Sequence, residues 1–399
     1  MAVSIELVDP QRSVHPSIAH RSDQLSATHQ LKATFMRRHW QIIVTLMLIL
    51  SRVCPLLAED LTTGVTDLKN VDLDFQYQGE YVGVIPFDGC YRSMGLQVVA
   101  LGNGQFDALL YRGGLPGNGF DGSPRLKLTG SREADSVTLV GKPLNVTIQS
   151  GKAASVTNAA GQSVGVLQPT KRVSATLGAK PPQNAVVLFD GQSTTLLKSP
   201  KVTPDGLLEV GTETQNSYQN FTLHAEFQIP YMPLSRGQDR GNSGLYLQKR
   251  YELQVLDSFG LESQFNDCGS IYRFKAPDLN MSYPPLSWQT YDLTFNAAKF
   301  STDGRRYEKA RVSVWHNGVL VQNNVQIADK TGWGKPEGAD PLPIAFQNHN
   351  NPVLFRNIWL IDNNQTIVNS PAYAGLVGNQ QLAPRQRHRG RLLRHRSGL

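Results

Sequence analysis

Several features are scarce in this sequence, and each scarcity narrows the class of protein. Three cysteines among 399 residues leave room for at most one disulfide. Charged residues make up 18% and hydrophobic residues 40%, which describes a globular chain and excludes a disordered or a membrane-embedded one. A P-loop motif is lacking, so an NTPase has no support. No long amphipathic helical pattern follows residue 60, so helix is expected to be a minor component.

The net charge of +7 is concentrated at the two ends of the chain. Residues 1–58 carry six basic and three acidic residues, and residues 371–399 carry six arginines and no acidic residue. The 27 basic and 29 acidic residues of the remainder leave a body that is close to neutral. We therefore expect no basic groove and no nucleic-acid partner. The arginine-rich end, residues 371–399, is expected to be a disordered tail, with peripheral contact to anionic surfaces as a minor alternative.

The beginning of the chain has the pattern of a secretory signal peptide. Met36 is followed by Arg37 and Arg38, by an apolar run over residues 42–50, and by a small residue, Ala58. The apolar run is shorter than the roughly 20 residues that span a bilayer. We expect residues 1–58 to be a leader and signal peptide (36–58), cleavage after Ala58, and a periplasmic or extracellular protein. Two cysteines then remain, and they form either one disulfide or two separate thiols.

Two β-rich blocks follow. Over residues 59–178, short apolar strands alternate with glycine-rich turns, which predicts a small all-β accessory domain, an antiparallel sandwich or roll. A stiff joint, Lys180-Pro181-Pro182, separates it from a second block over residues 184–363. Strands and long loops there predict two packed sheets, and Asn317-Gly318 predicts a tight hairpin turn. The fold class is therefore all-β.

The second block resembles a known family through an ordered set of motifs. The motifs are the segments Leu188-Phe189-Asp190-Gly191, 221–227, 241–247, 251–257, Gly269-Ser270-Ile271-Tyr272, Trp288-Gln289, Phe346-Gln347-Asn348-His349 and 353–358. In this order they resemble the 3-keto-disaccharide hydrolase domain family. The resemblance implies a concanavalin-like jelly-roll sandwich and an association with the cleavage of glycosides oxidised to a ketone at C3. The first block is not covered by the resemblance.

One strand carries the acidic residues of greatest interest. In Glu252-x-Gln254-x-x-Asp257 the first two polar side chains share a face of the strand, and one β-bulge would bring Asp257 to the same face. The spacing is similar to the acidic strand of laminarinase-type glycosidases. Gln254 replaces the central acid, which argues against a double displacement between two carboxylates. A solvated ion pair between Glu252 and an arginine is the structural alternative.

His349 and Arg356 complete the set of catalytic candidates. His349 lies in a polar loop before the last strand, where it can act as a general base or a metal ligand, or simply bind backbone. Arg356 faces away from Phe355, so it can hold an anion or a developing enolate, or form an ordinary ion pair. Candidate substrate-binding residues are Asn242, Gln254, Tyr272 and Trp288, the last as a sugar platform or as part of the core.

The sequence therefore predicts an exported enzyme that acts on a sugar substrate. A ketone at C3 acidifies the C2 hydrogen, so a base (Glu252 or His349) can form an enolate stabilised by Arg356 or a cation. The enolate expels the C1 substituent with Asp257 as proton donor, and water then adds. No compact metal-ligand spacing is present, so a divalent metal ion is left open. A laminarinase-type hydrolase and a non-catalytic carbohydrate-binding module are the alternatives.

Overall fold

The computed structural model describes residues 62–364. The expected leader and signal peptide (1–58) and the basic tail (371–399) lie outside the described residues. Two short 3-10 helices, Leu68–Asn70 and Leu73–Tyr77, open the described chain, and a third spans Gly237–Asp239. All other regular structure within residues 62–364 is β-strand, as the sequence predicted. No helix within residues 62–364 has the length and apolarity to cross a membrane.

The first block forms a closed eight-stranded antiparallel barrel. Its strands are β1 (Gly79–Phe87), β2 (Cys90–Ala100), β3 (Gln105–Arg112), β4 (Leu126–Glu133), β5 (Ser136–Gly141), β6 (Leu144–Gln149), β7 (Ala154–Asn158) and β8 (Ser163–Thr170). Each strand pairs with the next, and β1 also pairs with β8. The sequence predicted an antiparallel sandwich or roll, and the structure shows a closed barrel instead. Closure removes the free strand edges that an open sheet would expose.

Alternating apolar residues fill the barrel. Val137 and Leu139 on β5 and Val146 and Ile148 on β6 point inward and are fully buried, while the residues between them are more exposed. This period of two follows from the pleat of the strand. The barrel therefore has a core of its own.

The second block is a two-sheet sandwich. Its strands are β9 (Val186–Phe189), β10 (Leu197–Lys198), β11 (Leu208–Glu209), β12 (Thr212–Thr214), β13 (Asn220–Gln228), β14 (Ser243–Leu247), β15 (Tyr251–Val255), β16 (Trp288–Asn296), β17 (Lys299–Phe300), β18 (Arg306–Glu308), β19 (Arg311–His316), β20 (Val319–Gln326), β21 (Ala345–Phe346) and β22 (Leu354–Asp362). One sheet has the order β10-β12-β21-β14-β15. The other has the order β11-β22-β13-β16-β19-β20, with β9 added beside β22. Strands β17 and β18 form a separate hairpin.

The hairpin between β19 and β20 confirms a local prediction. His316 pairs with Val319, and the two residues between them, Asn317 and Gly318, have positive φ angles of 52° and 81°. Asn and Gly tolerate this conformation, which matches the twist of the flanking strands.

Extensive contacts join the barrel to the sandwich. Tyr231, which follows β13, packs in the core of the barrel and donates a hydrogen bond to Asp72 over 2.8 Å. Arg172 forms an ion pair with Glu80 at 2.5 Å, and its guanidinium lies 4.9 Å from the ring centroid of Tyr283. The glycine at 260 fits closely against Val99 of β2, where a larger residue would clash. The outer surface of β2 is thus part of the interface.

The two cysteines within residues 62–364 are separate thiols. Cys90 is exposed at the start of β2, and Cys268 is buried in the sandwich core. Cys268 Sγ lies 3.1 Å from the Tyr291 hydroxyl, and burial raises the pKa of the thiol to about 11.

Candidate active site

The predicted site residues lie on two opposite surfaces of the sandwich. Leu253 of β15 points into the core between the sheets, so Glu252 and Gln254 point outward from the five-stranded sheet. Phe355 of β22 points into the same core from the other side, so Arg356 points outward from the seven-stranded sheet. Packed sheets are separated by about 10 Å. Glu252 and Arg356 therefore do not belong to one site, and the expected pairing of base and enolate stabiliser is corrected.

Glu252 is a buried carboxyl with a strongly perturbed proton affinity. Its residue is only 3% exposed, and Oε2 accepts a hydrogen bond of 2.7 Å from the hydroxyl of Tyr246. Burial raises the pKa of Glu252 to about 7, although hydrogen bonds with Tyr246 and Gln347 oppose the rise. Within residues 62–364 Glu252 forms no ion pair with an arginine, so the structural alternative of a solvated ion pair has no support there. A carboxyl with a pKa near neutrality can both take and return a proton.

Two glycines allow the two oxygens of this carboxyl to lie close to the backbone. A Cβ at position 244 would lie 2.7 Å from Glu252 Oε1 and 3.2 Å from Gln347 Oε1. A Cβ at position 332 would overlap Glu252 Oε2 and the Tyr246 hydroxyl. Any larger residue at either position would crowd the carboxyl. We call the closely packed polar region over Gly244 the polar hollow.

Unpaired amide oxygens line the polar hollow. Gly244 lies between Gln254 of β15 and Gln347, which follows β21, because both are cross-strand neighbours of Gly244. The Oε1 atoms of both glutamines are buried and have no hydrogen-bond partner among the described residues. Buried acceptors of this kind are costly unless a ligand or water donates to them. Hydroxyl groups of a sugar are suitable donors.

Asn242 extends the row of amides. Gln254 Nε2 donates to Asn242 Oδ1 over 3.0 Å and to Gln238 Oε1 over 3.3 Å. The backbone amide of Asn242 donates to Asn351 Oδ1 over 2.6 Å. The structure thus brings together Glu252, Gln254 and Asn242, three of the residues predicted from the sequence.

Aromatic residues border the carboxyl on the side of Oε2. The backbone amide of Tyr272 donates to Glu252 O over 3.0 Å, and its ring lies 3.3 Å from the Cβ position of residue 332. Trp333 is 87% exposed, and its backbone amide donates to the Tyr246 hydroxyl over 3.1 Å. Tyr272 and Trp333 therefore both lie beside the carboxyl; substrate binding by Tyr272 stays a prediction, and Trp333 was not predicted.

Asp257 has a different environment from the one expected. Strand β15 ends at Val255, and its pairing with β14 contains no bulge, so Asp257 is not turned towards Glu252 by the mechanism we expected. Its Oδ2 accepts from Arg240 Nε at 2.6 Å, and the guanidinium of Arg240 also donates to Ala100 O of the barrel. Asp257 lines a cavity of about 370 Å³ between barrel and sandwich. Its contacts are those of a structural ion pair.

His349 lies close in sequence to the polar hollow. It follows Gln347 by two residues in the loop between β21 and β22 and is half-buried. Its ring makes no hydrogen bond within residues 62–364. The structure therefore leaves its role as a base or a metal ligand as a prediction.

Arg356 and Trp288 contact each other on the opposite surface. The Arg356 guanidinium lies 4.0 Å from the Trp288 ring centroid, and its Nε donates to Glu226 Oε2 over 2.7 Å. Trp288 lies on the seven-stranded sheet beside Arg356. The sugar platform predicted at Trp288 is therefore not part of a site with Glu252.

A buried charged cluster surrounds this ion pair beneath the joint between the two blocks. His224 Nδ1 lies 2.7 Å from Asp292 Oδ1, and Glu226 Oε1 accepts from the backbone amide of Gly178 over 2.5 Å. Burial lowers the pKa of His224, but its hydrogen bonds to Asp292 and Glu226 outweigh this and raise it to about 9. Burial raises the pKa of Glu226, but hydrogen bonds from His224, Asn357, Gly178 and Arg356 lower it to about 2. The cluster fixes the joint against the sheet.

Metal-ligating side chains do not form an evident centre. Within residues 62–364, no group of three or more His, Cys, Asp or Glu side chains is placed to hold a metal ion. The divalent metal that the sequence left open remains open.

Sequence reasoning missed three residues of the site. Tyr246 alternates with the core residues Leu245 and Leu247, so a period of two along β14 could have shown that it shares the face of Glu252. Gln347 lies in a motif that had already been singled out. The sequence marked Trp333 only by the glycine on either side of it, which is a weak indication of an exposed turn.

Comparison with protein families explains this arrangement. Residues 184–361 match the 3-keto-alpha-glucoside-1,2-lyase-like domain. These residues belong to that family. The prediction from the ordered motifs is thereby confirmed, and the match includes every residue of the polar hollow.

Solved structures give weaker similarities. A proposed glycosyl hydrolase from Parabacteroides distasonis is 32% identical over 45% of this chain and 84% of its own, with a TM-score of 0.43. A second one from the same organism is 20% identical over 45% of this chain and 94% of its own, with a TM-score of 0.33. Trypanosoma rangeli sialidase is 11% identical over 71% of this chain and 50% of its own, with a TM-score of 0.27. All three TM-scores are low, so the assignment depends on the family match.

A search of curated proteins found no match. The family assignment supports a carbohydrate-active function of the hydrolase type for the 3-keto-alpha-glucoside-1,2-lyase-like domain.

Proposed function

We propose that the 3-keto-alpha-glucoside-1,2-lyase-like domain cleaves 3-keto-glycosides, with Glu252 as the base. The observation that carries the proposal is the state of Glu252, a buried carboxyl whose pKa is raised to about 7 beside a hollow of unpaired amide oxygens. A base whose pKa lies near the operating pH is largely deprotonated there and still binds a proton well, which is the best compromise for proton abstraction.

The proposed reaction proceeds by elimination and hydration. Glu252 takes the proton from C2, which the neighbouring C3 ketone acidifies, and an enolate forms. The electrons of the enolate form the C1–C2 double bond as the C1–O bond breaks, and the leaving oxygen takes up a proton from the protonated Glu252. Water then adds across the double bond, with its hydroxyl on C1 and a proton on C2, so the net result is hydrolysis.

The positions of the other residues change two of the roles expected from the sequence. Arg356 lies on the opposite surface, so in our proposal a side-chain N–H of Gln347, whose amide is hydrogen-bonded to Glu252, donates to the enolate oxygen and stabilises it. Asp257 is bound to Arg240, so protonation of the leaving group passes to Glu252 itself. His349 is the alternative base.

The test compares wild-type protein with Glu252→Gln and His349→Ala on 3-keto-trehalose and on unoxidised trehalose. We expect cleavage of the ketone alone and loss of at least about a thousandfold in Glu252→Gln, within the range of general base catalysis. Glu133→Gln, at an exposed position on the barrel, is the matched control. Reactions in D₂O should place deuterium at C2 of the product. Cleavage without deuterium at C2 would exclude the elimination route, and inactivity on both sugars would exclude the function.

The alternative of a laminarinase-type hydrolase has less support from the site. A retaining mechanism needs two carboxyl groups about 5–5.5 Å apart. Burial and hydrogen bonds account for the perturbed pKa of Glu252, with no contribution from a second carboxylate. Release of reducing sugar from unmodified β-glucan would favour this alternative. Glycan binding that persists in Glu252→Gln, with no turnover by the wild type, would favour a carbohydrate-binding module.

We also propose that the protein is exported, since the signal-peptide pattern over residues 36–58 suits an enzyme that meets sugars outside the cytoplasm. N-terminal sequencing of secreted protein should read Glu-Asp-Leu, from Glu59 onward. An intact Met1 in the cytoplasmic fraction would contradict export. Contact of the basic tail with anionic surfaces remains a minor part of this proposal.

A further inference from the structure

The carboxyl of Glu252 lies between two chemically different surroundings. On the side of Oε1 lie Gly244 and the unpaired amide oxygens of Gln254 and Gln347. On the side of Oε2 lie the Tyr246 hydroxyl and the backbone of Gly332. The first side requires hydroxyl donors, whereas the second leads to an exposed tryptophan.

Trp333 is displayed on a loop that is held firmly in place. The backbone amides of residues 331 and 335 donate to the carbonyls of Arg250 and Lys249 over 2.9 Å and 2.7 Å. The buried side chain of Arg250 returns hydrogen bonds to the carbonyls of Pro336 and Asp340 over 2.9 Å and 3.0 Å. The Tyr251 hydroxyl donates to Glu337 over 2.5 Å.

Such anchoring makes the exposure of Trp333 informative. At 87% it is the most exposed of the large hydrophobic side chains described. A tryptophan on an anchored loop offers a large apolar face with little further loss of backbone freedom on binding. Its backbone amide donates to the hydroxyl of Tyr246, so Tyr246 alone separates Trp333 from the carboxyl of Glu252 along this chain of hydrogen bonds.

We propose that Trp333 forms the leaving-group subsite and binds a ring by stacking. The inference rests on the proposed function, and it assigns the two sides of Glu252 to the two parts of a glycoside. Hydroxyl groups of the oxidised sugar donate to the unpaired amide oxygens of the polar hollow, and the C1 substituent lies towards Oε2 and Trp333. The ligand chemistry is a flat or apolar ring face, supplied either by an aromatic leaving group or by the CH face of a second pyranose.

The test uses three 3-keto-α-glucosides that share one sugar and differ in the leaving group, namely methanol, phenol and glucose. The ratio of kcat/KM between variant and wild type is compared for each substrate, which cancels the different reactivities of the leaving groups. Trp333→Ala should lose about tenfold with phenol and glucose, mainly through KM, and less than about twofold with methanol. An aromatic stack of ordinary strength accounts for a loss of this size. Trp333→Phe should recover most of it.

Tyr91→Ala is the matched control, because Tyr91 is also a largely exposed aromatic but lies on β2 of the barrel. A loss with phenol only would assign the subsite to aromatic leaving groups, and a loss with both rings would extend it to disaccharides. Equal losses on all three substrates, or no loss on any, would overturn the proposal.

A binding measurement separates failure of this proposal from failure of the proposed function. The protein is titrated with phenyl α-glucoside, trehalose and methyl α-glucoside, and binding is measured by the quenching of intrinsic tryptophan fluorescence. None of these ligands needs to react. Binding of the first or second that weakens in Trp333→Ala supports the subsite even if no 3-keto-glycoside is cleaved. Unchanged binding in the variant would overturn it.

Discussion

Replacing Glu252 by Gln should abolish turnover and at the same time stabilise the protein above neutral pH. In the folded state burial raises the pKa of Glu252 from 4.5 to about 7. Between these two values the unfolded chain has lost the proton that the folded protein still holds, so stability falls as the pH rises. Above pH 7 the penalty is complete, because the folded protein must bury a carboxylate.

The size of the effect follows from the shift. Each pKa unit corresponds to about 1.36 kcal/mol, so the shift corresponds to roughly 3 kcal/mol at pH 8. The amide of Gln fills the same volume, can still accept from Tyr246, and carries no charge. The variant should therefore melt roughly 5–10 °C above the wild type at pH 8. Near pH 4.5 the two proteins should melt together.

Glu226→Gln is the control of opposite sign. The pKa of Glu226 is lowered to about 2 in the folded protein, despite burial, by its hydrogen bonds to His224, Asn357, Gly178 and Arg356. A depressed pKa gives stability that is present above the unfolded value and lost as the pH falls. Glu226→Gln should therefore lower the melting temperature at pH 8. The reasoning would be refuted if Glu252→Gln gave no gain at pH 8, or the same gain at pH 4.5.

Three further changes test the site. Tyr246→Phe removes the 2.7 Å hydrogen bond to Glu252. The acidic limb of the pH profile of kcat/KM should therefore move up by about one pH unit, and activity should recover near pH 9. A uniform loss of activity at all pH values would contradict this. Gly244→Ala puts a Cβ 2.7 Å from Glu252 Oε1. Turnover should therefore fall about a hundredfold or more, with little change in melting temperature. Unchanged kinetics would contradict a catalytic role for the polar hollow. Asp257→Asn leaves Arg240 buried without its charged partner. Urea unfolding should show a loss of about 3–5 kcal/mol in the free energy of unfolding, and the pH profile of kcat/KM should not change. Normal stability without turnover would instead restore Asp257 as a catalytic residue.

Alternation along a strand was sufficient to place some residues correctly. Glu252 and Gln254 are two apart, and Leu253 between them is apolar, so the sequence alone predicted that both face away from the core. The Asn317-Gly318 turn was predictable for a similar reason, since two adjacent residues decide its backbone conformation. The ordered motifs predicted the family.

Local pattern could not decide which surface a side chain shares with another strand. Arg356 alternates with apolar neighbours as Glu252 does, and both point away from the core, but they point away from it in opposite directions. The difference depends on which sheet each strand joins, which is set by pairings between residues far apart in the chain. Closure of the barrel through β1 and β8 was hidden for the same reason.

The sequence by itself determined the all-β class, the family of residues 184–361 and the outward direction of the polar side chains. Tertiary structure decided which of them meet and in what electrostatic environment. Glu252 and Glu226 are the same residue type on similar strands, and both are buried. Burial raises the pKa of Glu252 to about 7 against its hydrogen bonds, whereas hydrogen bonds from His224, Asn357, Gly178 and Arg356 outweigh burial and lower the pKa of Glu226 to about 2. Such shifts depend on desolvation and on partners brought from distant strands.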